Sequence, residues 1–485
     1  QFLPYPFTIR SPNLLIFIDH MFLTPHAIFG VPVGVSATFV FLFIMFAAFL
    51  DKTGAGKFII DFSMSAVGWA TGGPAKVGVI ARGIFGTITG HSVANVYGTG
   101  TFTIPLMKRM GYRPEYAGAV EAAASAGGQI MPPIMGAAAF IIAEFIGVSY
   151  LSVAKAALFP ALLYFAAVFA STHLEALKMG LKPLPRSELP PMKATLFHGF
   201  HFIIPIFVLI FVLVLGYTPF RAAFLAIIVL LVVAMARKNS RLGPRSFTES
   251  LVQGARNGVV IAVCCACAGL VVGSLDITGM GIKFVDIIIM ASGGVFPFLL
   301  LLIMVASLVL GMGIPTAPAY IIVAMIAAPS LVNMGLKPIV AHMFVFYSCL
   351  LSAITPPVAL AAYAGAAIAG APVMRTGVIA AKLGFVKYIV PFVFAYNAAL
   401  LMEGSALFVT LSFLTALAGT IGLSATFEKY LFTKLSIMGL LIMLTGSVLL
   451  LISNLYTDLA GVTLLTIAVV MNLKDKRALE AQAVA

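Results

Sequence analysis

The sequence predicts an all-α integral membrane protein made of two inverted repeats, each holding a re-entrant hairpin and a discontinuous helix. Three observations predict this. Of 485 residues, 61% are hydrophobic and only 9% are charged, against about 25% charged in soluble domains, and apolar runs of spanning length recur from end to end. Glycine and proline cluster inside several of those runs. Backbone freed in this way at membrane depth survives only where it is buried or lines a cavity. Finally, the same landmarks return at an offset of about 224 residues.

Residues 1–32 are rich in Pro and aromatics and are expected to lie at the interface. The first repeat covers 33–171. A spanning helix at 33–50 ends in LDKTG, an amphipathic segment at 57–69 lies along the interface, and the only tryptophan, Trp69, suits that position. The run 75–88 is short. It enters the GHSVAN turn at Gly90 and returns through 96–107, which predicts a hairpin with its tip at 90–95. Residues 115–145 could span but are broken at Gly127-Gly128-Gln129 and Pro132-Pro133, and 150–170 spans. A linker at 172–257 carries a polar loop (172–198), spans at 200–215 and 222–236, and a basic loop (237–256).

The second repeat covers 258–403. A span at 258–275 ends in LDITG, and 296–310 leads to a second tip, Gly311-Met312-Gly313-Ile314-Pro315-Thr316. The chain returns through 319–331, and a second broken helix at 339–369 is interrupted at 352–357. A span at 377–400 follows. Extra C-terminal helices occupy 404–485, with spans at 406–421, 435–452 and 460–470 and a charged tail from Lys474.

LDKTG pairs with LDITG, GHSVAN with GIPTAP, GYRP with GLKP, and Pro132-Pro133 with Pro356-Pro357. Four matches in one order mark an internal duplication. Charge sets its topology. With the first hairpin open to the cytoplasm, segments 51–76, 108–114, 172–198, 237–256, 371–387, 424–434 and 473–485 hold most of the 29 Lys and Arg residues, and Arg10, Arg221, Lys283 and Lys337 fall outside. The crossing number between the LDxTG landmarks is then odd, so the halves are inverted, as in secondary transporters. The C-terminus is expected in the cytoplasm. The net charge of +13 is spread over these loops, so no nucleic-acid partner is expected. Cys264, Cys265 and Cys267 share one apolar helix and Cys349 stands alone, a structural pattern without metal spacing. Residue 1 is Gln, so more chain is expected upstream.

These residues resemble the large permease of tripartite ATP-independent periplasmic (TRAP) transporters, most closely the fused permeases that work with TAXI-type binding proteins. The similarity runs from about residue 25 to 403. It rests on GGPAKVGVIARGIFGTITGHSVANV (72–96), TGTFTIPLMKRMGY (99–112), AGAVEAAASAGGQIMPPIMGAAAFIIAEF (117–145) and PFVFAYNAALL (391–401). The resemblance implies a bacterial or archaeal cytoplasmic (inner) membrane and sodium-driven, elevator-like uptake of an organic acid. A C4-dicarboxylate, a keto acid or an amino acid such as glutamate would be delivered by a periplasmic or lipid-anchored TAXI-type binding protein. It also implies a small-subunit-like membrane portion, fused upstream or separate. Two departures stand out: His91 replaces a small residue, and Ala126 replaces a hydroxyl residue.

A sodium ion, as a hard cation, prefers oxygen ligands. The candidate ion site in the first half comprises Gly90, Ser92, Asn95, Ser125, Gly127 and Gly128. In the second half it comprises Gly311, Gly313, Thr316, Ser352 and Thr355. The candidate substrate site comprises Asn95, Gln129, Pro132, Pro133, Pro315, Pro356 and Pro357, where half-helix N-termini would attract a carboxylate. His91 either caps the tip or couples protons. Glu121 and Glu144 either function within the broken helix or reach the interface, Arg82 snorkels or pairs with a carboxylate, and Asp51 and Asp276 are expected to cap the segments that follow them. No catalytic constellation, organic cofactor or metal site beyond sodium is expected. The alternative is a stand-alone cation-coupled carboxylate carrier without a binding protein.

Overall fold

The computed structural model describes residues 13–484; residues 1–12 of the expected interfacial segment, with Arg10, lie outside the described residues. Helix α1 (Leu14–Phe22) precedes α2 (Val31–Val35), which runs through a π-helical turn at Ser36–Val40 into α3 (Phe41–Lys52). Then come α4 (Ala55–Val67), α5 (Gly73–Thr89), α6 (Ser92–Arg109), α7 (Pro114–Gly128), α8 (Ala137–Ile146) and α9 (Tyr150–Lys178). The linker folds as α10 (Met192–Gly199), α11 (Ile203–Val214) and α12 (Pro219–Ala236). Next are α13 (Pro244–Thr278), α14 (Met280–Ala291), α15 (Phe296–Leu310), α16 (Thr316–Asn333), α17 (Pro338–Leu350) and α18 (Leu360–Ala369). The chain ends with α19 (Val373–Leu383), α20 (Val386–Tyr396), α21 (Ala406–Glu428), α22 (Ile437–Leu451) and α23 (Leu455–Val484). Among the described residues nine helices are long and apolar enough to cross a membrane.

The order helix, LDxTG turn, two helices, tip, helix, GxxP turn, helix, break, helix occurs twice. Gly54 and Gly279 both end their helices in the left-handed region, at φ 93° and 64°. This corrects the expected capping role of Asp51 and Asp276. The N-cap residues of α4 and α14 are Gly54 and Gly279, which offer no capping side chain, so the motif works as a helix stop. Pro114 and Pro338 start α7 and α17 at positions where the missing N–H costs nothing.

Helix α7 is the centre of the molecule, buried from Glu115 to Gly128. It packs against α5 and α6 of its own half and α18 and α19 of the other. Small residues permit the approach: a Cβ on Gly118 would stand 2.8 Å from the Gly365 carbonyl, and one on Gly86 would stand 2.3 Å from the Gly128 Cα. Helices α21, α22 and α23 continue outward from α9, with Leu407 and Ile437 turned outward as a lipid-facing surface requires.

Four boundaries differ from the sequence expectation. The polar loop at 172–198 contains the end of α9 and all but the last residue of α10, and the basic loop ends at 243 because α13 extends back through Arg256 and Arg245. The charged tail continues α23. The span at 377–400 is two helices, α19 and α20, separated at Gly384. There a Cβ would strike Ile354 at 2.4 Å, so this junction packs against the second break.

Candidate functional site

The two tips and the two breaks meet. Gly90 to Ala94, Gly311 and Gly313 to Pro318 from the tips, with Gln129, Gly136 to Ala138, Ser352, Ala353 and Leu360 from the breaks, line one cavity of about 450 Å³. Volumes of this order hold small organic ligands. α7 stops at Gly128 because two glycines weaken the helix and two prolines follow without N–H donors. The chain crosses to Gly136 and restarts. Tip 1 seats on that crossing: a Cβ on Gly90 would stand 2.6 Å from the Met135 carbonyl. Tip 2 approaches break 2, where a Cβ on Gly311 would stand 2.9 Å from Ser352 Oγ.

Gln129 ties these parts together. Its Nε2 donates to the Gly90 carbonyl at 3.0 Å and to Thr316 Oγ1 at 3.1 Å, so one amide spans break 1, tip 1 and tip 2.

Four helices begin at this cavity: α6 at Ser92, α8 at Ala137, α16 at Thr316 and α18 at Leu360. Each N-terminus carries free N–H groups and the positive end of a helix dipole. Among the described residues no Lys, Arg, Asp or Glu lines the cavity. The arrangement can therefore hold a negatively charged group by main chain and hydroxyls alone.

Of the candidate residues, Gly90, Ser92, Gln129, Gly311, Gly313, Pro315, Thr316 and Ser352 line the cavity. The others stand behind it. Asn95 is fully buried and its carbonyl accepts from Arg82 Nη1. Ser125 is fully buried, and its Oγ has no hydrogen-bond partner among the described residues. Gly127 faces the Tyr164 ring and Gly128 faces Gly86. The Pro133 carbonyl accepts from Tyr150 at 2.8 Å, and the Pro357 carbonyl from Tyr363; Pro132 is half-buried outside the cavity. Pro356 packs on Gly377. Thr355 Oγ1 is 2.6 Å from the Leu351 carbonyl and 2.5 Å from the Tyr388 hydroxyl.

His91 stands at the N-cap of α6 without a side-chain cap bond and lines the cavity. Arg82 does not snorkel. It is fully buried, with Nε and Nη2 each 2.6 Å from Glu121 Oε2, and Thr103 donates to the other carboxylate oxygen. Glu144 is exposed at the end of α8, away from this cavity. Sequence reading missed Asn257, Val260, Ile261 and Cys264 of α13, which close one wall. Only Asn257, a polar residue just before an apolar run, gave a signal. It also misplaced Lys387, assigned to a cytoplasmic segment but fully buried on α20.

Interrupted helices converging on one cavity, in a polytopic chain, define a membrane permease of the carrier class. The sequence matches the family described as tripartite ATP-independent periplasmic transporter, DctM component, over residues 2–409, and the chain belongs to it. It is thus a TRAP transporter permease subunit and not an enzyme, and permeases of this family sit in the inner membrane. Similar relatives include the 2,3-diketo-L-gulonate TRAP transporter large permease of Escherichia coli, 24% identical over 65% of this chain and 74% of that one. The C4-dicarboxylate TRAP transporter large permease of Pseudomonas aeruginosa is 24% identical over 69% and 78%. The sialic acid TRAP transporter large permease of Vibrio cholerae is 23% identical over 66% and 74%.

Proposed function

We propose that this permease drives uptake of a small organic acid with the sodium gradient, receiving it from an extracytoplasmic TAXI-type binding protein. A small-subunit-like membrane portion completes the system. The observation that carries the reading is the convergence of four helix N-termini on a cavity lined by no cationic Lys or Arg among the described residues. A carboxylate fits that field, and the cavity suits the small acids, C4-dicarboxylates among them, that the relatives are named for.

Sodium binding draws on the oxygens of a tip and the break it faces, which line one cavity. The two halves act as inverted copies, supported by the repeated element order and the loop charge, and alternate access by an elevator-like movement of the tips and breaks against α3 and α13.

Reconstitution into proteoliposomes tests this. Uptake of the binding protein's ligand requires both that protein and an inward sodium gradient. Uptake without the binding protein would assign a stand-alone carrier instead, and uptake unchanged when potassium replaces sodium would remove the coupling ion.

A further inference from the structure

Lys387 has no place in the reading above. It is fully buried on α20, its Nζ donates to the Ala126 carbonyl at 2.6 Å, and it sits 4.6 Å over the Tyr164 ring. It forms no ion pair among the described residues. A buried ammonium without a carboxylate is costly inside a membrane protein. Here the negative end of α7 and an aromatic face hold it.

Ala126 belongs to the last turn of α7, just before the break. A hard cation at that break would use the free carbonyls of this turn. The Gly127 carbonyl accepts from the Ile130 N–H at 3.1 Å and the Gly128 carbonyl from the Met131 N–H at 3.3 Å. The ammonium of Lys387 takes the Ala126 carbonyl. At the second break, the Leu351 carbonyl accepts from the Thr355 hydroxyl, which meets Tyr388, the residue next to Lys387. Consecutive residues of α20 thus reach the two breaks, one with a charge and one with a hydroxyl.

We propose that the Lys387 ammonium is a tethered cation, filling at the end of α7 the position a mobile ion would otherwise occupy, so that external sodium acts at the second half alone. The consequence for coupling rests on the sodium-driven reading; the filled position does not.

Thermal unfolding of the purified permease in sodium chloride and in choline chloride tests it, with wild type, Lys387→Met and Lys387→Arg compared. Lys387→Met gains a sodium-dependent rise in Tm beyond that of wild type, roughly 1–2 °C at sodium about tenfold above its dissociation constant. Lys387→Arg shows no such gain. If the Tm of Lys387→Met follows sodium as wild type does, the proposal is overturned. Should Lys387→Met fail to fold, membranes prepared in sodium and in choline decide: recovery in sodium alone supports the tethered cation, and equal loss in both overturns it. Sodium-insensitive uptake by wild type would end the coupling reading while leaving this comparison intact.

Discussion

The side-chain amide of Gln129 lies 3.1 Å from the hydroxyl of Thr316, although 187 residues separate them. The same amide reaches the Gly90 carbonyl at 3.0 Å. Gln129→Ala removes both contacts, each worth about 1 kcal/mol, and lowers the initial uptake rate about tenfold or more. Thr316→Val removes one and lowers it less. Because the two residues share a contact, the double variant falls short of the product of the single effects. Uptake by proteoliposomes containing the four proteins measures this; fully multiplicative losses would show that the contact carries no function.

Backbone proximity in the core gives a second prediction. A Cβ on Gly128 would stand 2.5 Å from the Gly86 Cα, and neither backbone can yield without parting α5 from α7. Gly128→Ala therefore destabilises by about 3 kcal/mol or more. Gly98, on the exposed face of α6, has nothing within 4 Å of its would-be Cβ. Gly98→Ala keeps or raises Tm, since alanine favours a helix interior over glycine by about 1 kcal/mol. Thermal unfolding in detergent compares the two.

The breaks were legible because glycine and proline are out of place in a spanning helix, and the tips because both patterns recur. That they meet followed from the repeat. What the sequence could not convey was which group faces which. Arg82 could snorkel or pair with a carboxylate and Glu121 could function within the break or reach the interface; which holds depends on how α5 crosses α7. Lys387 lies in a stretch with Lys382 and Arg375, which reads as a basic loop until the chain bends at Gly384 and carries it inward. The wall from α13 shows no periodicity to set Val260 or Cys264 apart from lipid-facing neighbours. Local chemistry marked where backbone is freed; tertiary crossing angles decided what fills the space.

The Arg82–Glu121 pair predicts a stability effect. Arg82→Met leaves a fully buried carboxylate without its cation, at a cost of about 3–5 kcal/mol. Pairing it with Glu121→Leu recovers much of the loss, because no unpaired charge then remains. A lower Tm for the single variant and a partly restored one for the double is the expected result; a double variant as unstable as the sum of the singles would assign the pair an additional role in holding Asn95.

Thr355 separates a sodium ligand from a strut. Its hydroxyl touches the Leu351 carbonyl and the Tyr388 hydroxyl, so a loss of function on deletion could come from either contact. Tyr388→Phe removes the tyrosine oxygen and leaves Thr355 in place, whereas Thr355→Ala removes the candidate ligand. If the threonine oxygen binds sodium, Thr355→Ala raises the sodium concentration for half-maximal uptake about tenfold, equivalent to about 1.4 kcal/mol, and Tyr388→Phe leaves it within about twofold. Ser125→Ala, at the break already served by the Lys387 ammonium, also leaves it unchanged. A strut would behave otherwise: Thr355→Ala and Tyr388→Phe would lower Tm alike and leave the sodium dependence where it was, since both break the same bridge between the second break and α20.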